Sequence, residues 1–392
     1  MEENRLARLA AERRQAGTLL DLTVSNPTRC GFDYPAALLE AFRDPRSLTY
    51  RPDPFGLPEA RAAVAAYYRD RGMDATPDDL VLTASTSEAY SHLFRLLCDP
   101  GDRVHIPRPS YPLFDLLASV NDVRLEAYPL FYDHGWHLDL GALEASLDSR
   151  SRAILIVHPN NPTGSYLRPS DWEALQTLAA RHELALIVDE VFFDYPLPEA
   201  PDYAPERVTE RVMDPRSARA LTVALNGLSK IAALPQMKLG WMLLSGPGHL
   251  VAEARARLEI INDTYLSVDT PVQWAAAALL DHRHHIQPQI RRRAAANLAH
   301  LDAALAAAEA QGLLQRLAVE GGWTAIVRLP RLHSDAEWAE ALLERTGVLV
   351  HPGHFYDFSE EGHLVVSLIV PEDTFSAGIR HLTRFVAAAA SL

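Results

Sequence analysis

The sequence predicts an α/β protein in which a mostly parallel central sheet is flanked by helices and accompanied by a smaller α+β domain. Short runs rich in β-branched residues alternate with helical segments between residues 80 and 245. This alternation is typical of βαβ units around a buried parallel sheet. After residue 271 the chain becomes rich in Ala, Arg and His before three further apolar runs. We therefore expect a large domain over residues 35–270 and a small domain formed by residues 1–34 and 271–392.

Hydrophobic periodicity and breaker residues predict each element in turn. An amphipathic helix is expected within residues 1–17, and a second helix over 57–71 ends at Gly72. Strands of the large sheet are expected at seven short runs: "DLVLTAS", "RVHIP", "VRLEAYPL", "AILIVH", "LALIVDE", "ALTVALNG" and "KLGWMLLSG". The elements expected later in the chain are long helices over 272–311, strands at 323–330, 347–353 and 363–370, and a helix over 376–390.

Composition and charge restrict the classes of function. The 392 residues include 37 basic and 51 acidic side chains, a formal net charge of -14, which disfavours binding to nucleic acids and to anionic membranes. No apolar run approaches the ~20 residues of a membrane span. Two cysteines do not make a disulfide framework, so a cytoplasmic location is expected. The histidines at 282–285 lie on a polar helical stretch, and no metal site is predicted.

Four predicted strands carry polar residues at their carboxyl ends, where doubly wound sheets bind ligands. After "LVLTAS", the residues Ser85, Thr86 and Ser87 would present N–H and hydroxyl donors at a helix N-terminus, which is a ready anion site. A plain helix cap is the alternative explanation. The strands that follow end in "PNNPTG" and in Asp189, for which a turn and a helix cap are the ordinary explanations.

Two lysines, Lys230 and Lys238, lie eight residues apart in the mostly apolar stretch "NGLSKIAALPQMKLGW". A buried amine is costly unless it is paired or uncharged, although Lys230 could also be a surface lysine. Taken together, the four strand ends would supply one crevice with an anion cradle, an amide donor, a carboxylate and an amine.

This combination resembles the aspartate-aminotransferase-like family of pyridoxal-phosphate enzymes, the class I/II aminotransferases of fold type I. The matching segments follow the order of the family and span nearly the whole chain. The resemblance implies an enzyme that uses pyridoxal 5'-phosphate to transfer an amino group between an amino acid and a 2-oxo acid. The segments are "SNPT", "TYRPDPFGLPEARAAVAAYY", "TASTSEA", "PRPSYPLF", "HPNNPTG", "VDEVFFDY", "GLSKIAALPQMKLGW" and "HPGHFYDF".

The resemblance also implies roles for individual residues. Lys230 would hold the cofactor as a Schiff base and then move the proton, and Asp189 would pair with the pyridine nitrogen so that the ring withdraws electrons. Asn161 would donate to the ring oxygen, and Tyr111 would stack on the ring face. Lys238 would pair with the phosphate.

The phosphate would be cradled by Ser85, Thr86 and Ser87. Tyr50 matches a tyrosine that reaches the phosphate from the neighbouring subunit. The resemblance therefore implies a homodimer whose active sites are shared between subunits.

Three positions depart from the family pattern. Lys238 stands where the family often has arginine, which replaces a fork of donors by a point charge. Phe192 stands where a tyrosine usually donates to the ring oxygen, unless Tyr195 supplies that hydroxyl. Val365 stands where an arginine usually binds the substrate α-carboxylate, so Arg29 becomes the candidate for that role, with a surface ion pair as the alternative.

Two other functions stay open at this point. A β-eliminating lyase or a cyclising enzyme of the same fold would use the same cofactor, because fold does not decide the outcome of the reaction. A cofactor-binding regulator would need a DNA-binding region, and the residues before Tyr50 lack a basic helix-turn-helix pattern.

Overall fold

The computed structural model describes residues 5–200, 219–266, 268–309 and 312–390. Its strands are β1 (Leu20–Asp21), β2 (Leu80–Thr83), β3 (Arg103–Arg108), β4 (Arg124–Tyr132), β5 (Trp136–Leu138), β6 (Ser151–Val157), β7 (Ala185–Asp189), β8 (Thr222–Gly227), β9 (Gly240–Ser245), β10 (Gln315–Arg316), β11 (Thr324–Arg328), β12 (Val348–Leu349), β13 (His351–Pro352) and β14 (His363–Ser367).

The helices predicted within residues 1–17, at 57–71, over 272–311 and over 376–390 are present, and the ends predicted at residues 1–4 and 310–311 lie outside the described residues. The helices of the structure are α1 (Arg5–Gln15), α2 (Pro58–Arg69), α3 (Thr86–Leu97), α4 (Leu113–Ser119), α5 (Leu140–Ser146), α6 (Pro169–Arg181), α7 (Leu228–Ile231), α8 (Gly248–Tyr265), α9 (Thr270–Asp281), α10 (Arg283–Glu309), α11 (Asp335–Thr346) and α12 (Glu372–Ala390).

A large eight-stranded sheet has the order β2-β9-β8-β7-β6-β3-β4-β5. The strands from β8 to β4 pair in parallel, whereas β9 is antiparallel to both of its neighbours and β5 is antiparallel to β4. The predicted mostly parallel sheet is confirmed. The chain reverses into β9 after residues 228–239, a connection that holds only the one-turn helix at Leu228–Ile231 and a short 3-10 turn, whereas a parallel crossover usually includes a longer helix. Two reversals leave β2 pointing the same way as β8, so both strands end at one edge.

Helices cover both faces of this sheet, which explains why its central strands are continuous apolar runs. Every residue of β7 and β8 is buried, as expected for parallel strands between two helical layers. The core on one face includes residues of α2, α6 and α9, and the core on the other includes residues of α3, α4 and α8. The carboxyl ends of the central strands are therefore held in a rigid frame.

A second core surrounds a small sheet of order β10-β11-β14-β13. Residues of α10, α11 and α12 pack into it, and the N-terminal residues Leu6, Ala10 and Leu22 join them. The short strand β1 adds a parallel pair with β12, so the two ends of the chain share one core. The predicted domain boundaries stay a prediction. The helix α9, which begins at the predicted boundary, packs into the core of the large sheet.

The loop after β6 contacts the segment before β11 at Gly164. Its carbonyl oxygen accepts hydrogen bonds from the backbone N–H of Glu320 at 3.2 Å and of Gly321 at 2.8 Å. Gly164 has φ +69°, and a Cβ there would lie 2.5 Å from the carbonyl oxygen of Gly321. This close approach joins the large sheet to the small one at the last residue of "PNNPTG".

We expect Gly164→Ala to destabilise the fold more than Gly17→Ala does. Both glycines have positive φ, at +69° and +67°, but a Cβ at Gly17 meets nothing within 4 Å. The left-handed conformation alone costs alanine roughly 1–2 kcal/mol, and the clash at Gly164 adds to it. Urea unfolding of both variants measures the difference, and equal losses would contradict the proposed close contact.

Candidate active site

A cavity of about 380 Å³ lies at the carboxyl ends of β2, β6, β7 and β8 and is closed on its other side by the small sheet. The structure brings most of the predicted site residues to its walls. They are Ser85, Thr86, Ser87, Tyr111, Asn161, Asp189, Lys230 and Lys238.

The turn between β2 and α3 is both a helix cap and an open anion site. Ser85 is the N-cap, and its Oγ accepts from the Glu88 N–H at 3.1 Å. Within the described ranges, the N–H groups of Thr86 and Ser87 have no hydrogen-bond partner. A Cβ at Gly240 would lie 3.0 Å from the backbone of Ser85, so glycine lets β9 pass close to this turn. Free N–H groups at a helix N-terminus attract anions.

Asp189 ends β7 inside the cavity with its carboxylate held from two sides. Its Oδ2 accepts from Tyr90 Oη at 2.6 Å, and its Oδ1 accepts from the Val191 N–H at 3.1 Å. Burial raises the pKa of Asp189, and these two hydrogen bonds and the charge of Lys230 act in the opposite direction. The carboxylate is therefore fixed in orientation, and a cationic partner would stabilise its ionised form.

Lys230 lies in the one-turn helix α7 directly after β8, and its Nζ is surrounded by aromatic rings. The centroids of Phe192 and Trp323 lie 5.4 Å and 5.2 Å from Nζ. Burial lowers the pKa of Lys230, and Asp189 raises it in part. A desolvated amine that loses its proton easily is a nucleophile.

Three side-chain donors hold the backbone around Lys230. Tyr195 Oη donates to the Lys230 carbonyl oxygen at 2.5 Å, Gln287 Nε2 to that of Ile231 at 2.9 Å, and Tyr34 Oη to that of Ala233 at 3.0 Å. Carbonyls at a helix end need such partners. The hydroxyl of Tyr195 is thus used by the backbone and lies outside the residues that line the cavity, so it does not take the place left by Phe192.

Lys230 and Lys238 are the only lysines in the sequence, and the other 35 of the 37 basic residues are arginine. Both of these amines line the cavity. Lys238 is exposed and has a left-handed backbone conformation, φ 49° and ψ 53°. Non-glycine residues with positive φ are uncommon and concentrate at functional sites.

Asn161 and Tyr111 present unengaged groups to the cavity. Asn161 Oδ1 is buried, and no described residue donates a hydrogen bond to it. The neighbouring Asn160 instead anchors the loop, donating from Nδ2 to the Pro109 carbonyl oxygen at 3.1 Å. Tyr111 is 43% exposed. A buried amide oxygen without a partner needs a hydrogen-bond donor, which a bound ligand or water can supply.

Two predicted residues lie outside this cavity. Tyr50 is 70% exposed and lines a separate small recess. Arg29 is exposed on a short 3-10 turn, four residues after Ser25, which does line the cavity. Val365, Phe192 and Lys238, the three departures from the family pattern, all line it.

Sequence reasoning missed most of the wall that the small sheet contributes. Its residues come from strands distant in the sequence, and only Val365 and the "HPGHFYDF" segment gave a signal for them. Tyr90 and Gln287 were missed because a helical tyrosine or glutamine has no distinguishing pattern. The residues of this wall are Trp323, Thr324, His351, Tyr356, Val365 and Ser367.

We expect Asp189→Asn to lower the pKa of Lys230 further. The carboxylate of Asp189 raises that pKa against the effect of burial, so its removal leaves burial unopposed. The pH dependence of acylation by an amine-selective reagent, followed at each lysine by peptide mapping, measures this effect. Lys230 should react at lower pH in the variant while the exposed Lys238 keeps its profile, and unchanged profiles at both amines would contradict the coupling.

No helix in the described part of the chain has the length and apolar character that crossing a membrane requires. The described residues also contain no cluster of three or more His, Cys, Asp or Glu side chains arranged to hold a metal ion.

Comparison with known proteins confirms the resemblance seen in the motifs. The chain is 29% identical over 381 residues to the aspartate/prephenate aminotransferase of Thermus thermophilus, covering 95% of this chain and 92% of the relative. It is 28% identical over 268 residues to the glutamate-pyruvate aminotransferase of Escherichia coli, covering 68% and 64%. The alanine aminotransferase structure from Pyrococcus furiosus shares the fold, with a TM-score of 0.84 at 23% identity over 98% of both chains.

The family model for "Aminotransferase class I and II" matches residues 18–381. This match spans both sheets and the cavity between them, and the chain therefore belongs to the class I and II aminotransferases.

Proposed function

We propose that this protein binds pyridoxal 5'-phosphate in the cavity and transfers an amino group between an amino acid and a 2-oxo acid. The observation that carries the proposal is the joint placement of an amine, a carboxylate and an anion-binding helix N-terminus, contributed by Lys230, Asp189 and Thr86. These groups match the aldehyde, the ring nitrogen and the phosphate of one compact cofactor. When bound, the cofactor supplies an electron sink for the substrate carbon that bears the amino group.

The phosphate would be held by Ser85, Thr86 and Ser87, with the amine of Lys238 as the counter-charge. The free N–H groups of this turn support the assignment, because helix N-termini bind phosphate without a dedicated side chain. A lysine gives a single point charge there, so we expect the backbone donors to provide the directional contacts.

The ring would be placed by Asp189 at its nitrogen, Asn161 at its oxygen and Tyr111 against its face. The position of Asn161 on the cavity wall supports this placement, as does the orientation of the Asp189 carboxylate by Tyr90. A cationic ring nitrogen would also compensate the burial of Asp189, because an opposite charge favours the ionised form of a buried carboxyl.

Lys230 would hold the cofactor covalently through Nζ and, once released by the substrate, act as the base. Its amine loses its proton more readily than the amine of an exposed lysine does, because burial lowers the pKa of Lys230. The rings of Phe192 and Trp323, centred 5.4 Å and 5.2 Å from Nζ, cover part of the amine. Nζ can then take the proton from the substrate carbon that carries the amino group.

We also propose a homodimer with shared active sites, acting in the cytoplasm. The exposure of Tyr50 supports a role at the neighbouring subunit, and Leu48, two residues before it, is 91% exposed. Exposed apolar side chains of this kind are typical of surfaces that other chains cover. The two cysteines, Cys30 and Cys98, are both free thiols, which agrees with a reducing compartment.

One observation favours a second candidate, a β-eliminating lyase or cyclising enzyme with the same cofactor. Val365 presents an apolar side chain to the cavity where the family pattern has an arginine, and Arg29, the proposed carboxylate partner, lies outside the cavity walls. Release of pyruvate and ammonia from a cysteine conjugate without any 2-oxo acid would identify this second activity.

We expect borohydride reduction of the cofactor-supplied protein to fix the cofactor on Lys230 alone. With only two lysines in the chain, peptide mapping distinguishes Lys230 from Lys238 directly. Lys230→Ala should stay colourless, whereas Lys238→Ala should take up colour but release the cofactor more readily. Label on Lys238, or a wild-type protein that stays colourless, would overturn the proposal.

We expect the loaded protein to lose its visible absorption when it is mixed with a suitable amino acid, and to regain it with a 2-oxo acid. A spectrophotometric screen of the common amino acids and 2-oxo acids measures both halves separately. Colour loss that no 2-oxo acid restores, together with ammonia release, would favour the lyase instead.

We expect Phe192→Tyr to lower the pH at which the visible band of the loaded protein titrates. A tyrosine hydroxyl would add a donor to the cofactor's ring oxygen and stabilise its deprotonated form, and one hydrogen bond corresponds to about one pKa unit. Spectral pH titration of both proteins measures the shift. Tyr195→Phe should not raise the pH at which the band titrates, because the Tyr195 hydroxyl donates to the Lys230 carbonyl oxygen and not to the cofactor.

A further inference from the structure

The small sheet places His351 and Val365 side by side on the wall of the cavity. The antiparallel pairing of β13 with β14 sets His351 opposite Val365, and directly opposed residues project from the same face of a sheet. Both line the cavity. This wall faces the large sheet from which Lys230 projects, so it borders the space left for the substrate.

Charge is absent from the side chains of this wall. Among the described residues that line the cavity, the lysine and arginine side chains are Lys230 and Lys238 alone, and the proposed function assigns both of them to the cofactor. A substrate group that meets the small sheet therefore meets uncharged donors.

The hydroxyl groups on this wall are already engaged by neighbouring oxygens. The Oγ1 of Thr23 donates to Asp21 Oδ1 at 2.6 Å, and that of Thr324 donates to the Pro162 carbonyl oxygen at 3.0 Å. Ser367 Oγ donates to the Val24 carbonyl oxygen at 2.7 Å. Each of these hydroxyls uses its one proton in a hydrogen bond to the protein, so none of them has a proton left to donate to a substrate.

His351 has a free donor because Tyr356 occupies its other nitrogen. Tyr356 Oη lies 3.0 Å from His351 Nδ1, and burial raises the pKa of Tyr356, so the phenol keeps a proton that it can donate to Nδ1. In the tautomer in which Tyr356 donates, the imidazole proton lies on Nε2. Burial lowers the pKa of His351, which Asp21 on β1 opposes in part. No described residue forms a hydrogen bond with Nε2.

We infer that His351 recognises the substrate through a single neutral hydrogen bond from Nε2–H to the oxygen-bearing group on the carbon that carries the amino group, and that Tyr356 is its positioning residue. This inference rests on the proposed function. A neutral donor gains far less from a negative charge than a guanidinium fork does. The site should therefore accept the carboxamide of an amino acid as well as the amino acid itself.

Two exposed groups near the cavity are the competitors for this role, because the Nε1–H of Trp323, which also lacks a partner among the described residues, is buried and does not open onto the cavity. Arg29 would need the turn that carries it to close over the cavity, and Ser25 lies on the same irregular segment. His351 needs no such movement, because strand pairing and Tyr356 already fix it. A preorganised donor costs less to engage than one that must first be ordered.

The experiment compares His351→Ala, His351→Gln and Tyr356→Phe with His354→Ala as the matched control. His354 is an exposed histidine three residues along the same loop, and it is not among the residues that line the cavity. Glutamine retains an N–H donor at a similar reach. For each loaded variant, the visible spectrum and the melting temperature establish that the fold and the bond to Lys230 are intact.

Steady-state kinetics are measured with L-alanine, L-aspartate, L-glutamate and L-phenylalanine, and then with the carboxamide of the best donor. His351→Ala is expected to lower kcat/KM by about 10-fold to 100-fold, mainly through KM, because one hydrogen bond to a charged group is lost. Tyr356→Phe should raise KM less, and His351→Gln should recover part of the loss. The wild-type kcat/KM for the carboxamide should lie within about 10-fold of that for the acid.

The outcomes separate this inference from the function on which it rests. If the wild type converts amino acids but His351→Ala behaves like His354→Ala, or if Arg29→Ala alone raises KM, the inference is overturned and the proposed function stands. A preference for the acid over its carboxamide of more than about 1,000-fold would require a cation at this wall and would overturn it too. If no amino acid removes the visible absorption of the loaded wild type, both this inference and the proposed function are overturned.

Discussion

The burial of one amine next to one carboxylate is the constraint on which the rest of the site depends. Asp189 ends β7, and Lys230 follows the adjacent parallel strand β8 by three residues, in α7, so the pairing of these strands brings both groups to one edge of the sheet. Each group is costly to bury alone, because desolvation lowers the pKa of the amine and raises that of the carboxyl. The hydrogen bonds from Tyr90 and Tyr195 then hold the carboxylate and the lysine backbone in place.

Much of this architecture could be predicted from the sequence, because buried parallel strands and amphipathic helices have distinct periodicities. The reversal into β9 and the packing of α9 against the large sheet could not, since both depend on which surfaces meet. The residues at strand ends, such as Asp189 and Lys230, were accessible to sequence reasoning because α/β sheets bind ligands at that edge. Their supporting donors, Tyr34 and Gln287, come from distant segments without a local pattern.

The two sheets contribute different chemical groups to the cavity. The large sheet supplies charge and helix-terminal N–H groups, which suit a phosphorylated cofactor. The small sheet supplies an uncharged wall on which His351 offers a directed hydrogen bond. Because the loop at Gly164 joins the two in a close backbone contact, small shifts of either sheet would change the distance between cofactor and substrate groups.

The concentration of both lysines in the cavity has a further consequence for how the protein meets its chemical surroundings. Guanidinium groups, which form the other 35 basic side chains, stay protonated and are poor nucleophiles at neutral pH. Amine-directed acetylation or coupling to an activated resin therefore targets the two amines of the cavity and the chain's α-amino group. In this enzyme, every modified lysine would be a lysine of the cavity.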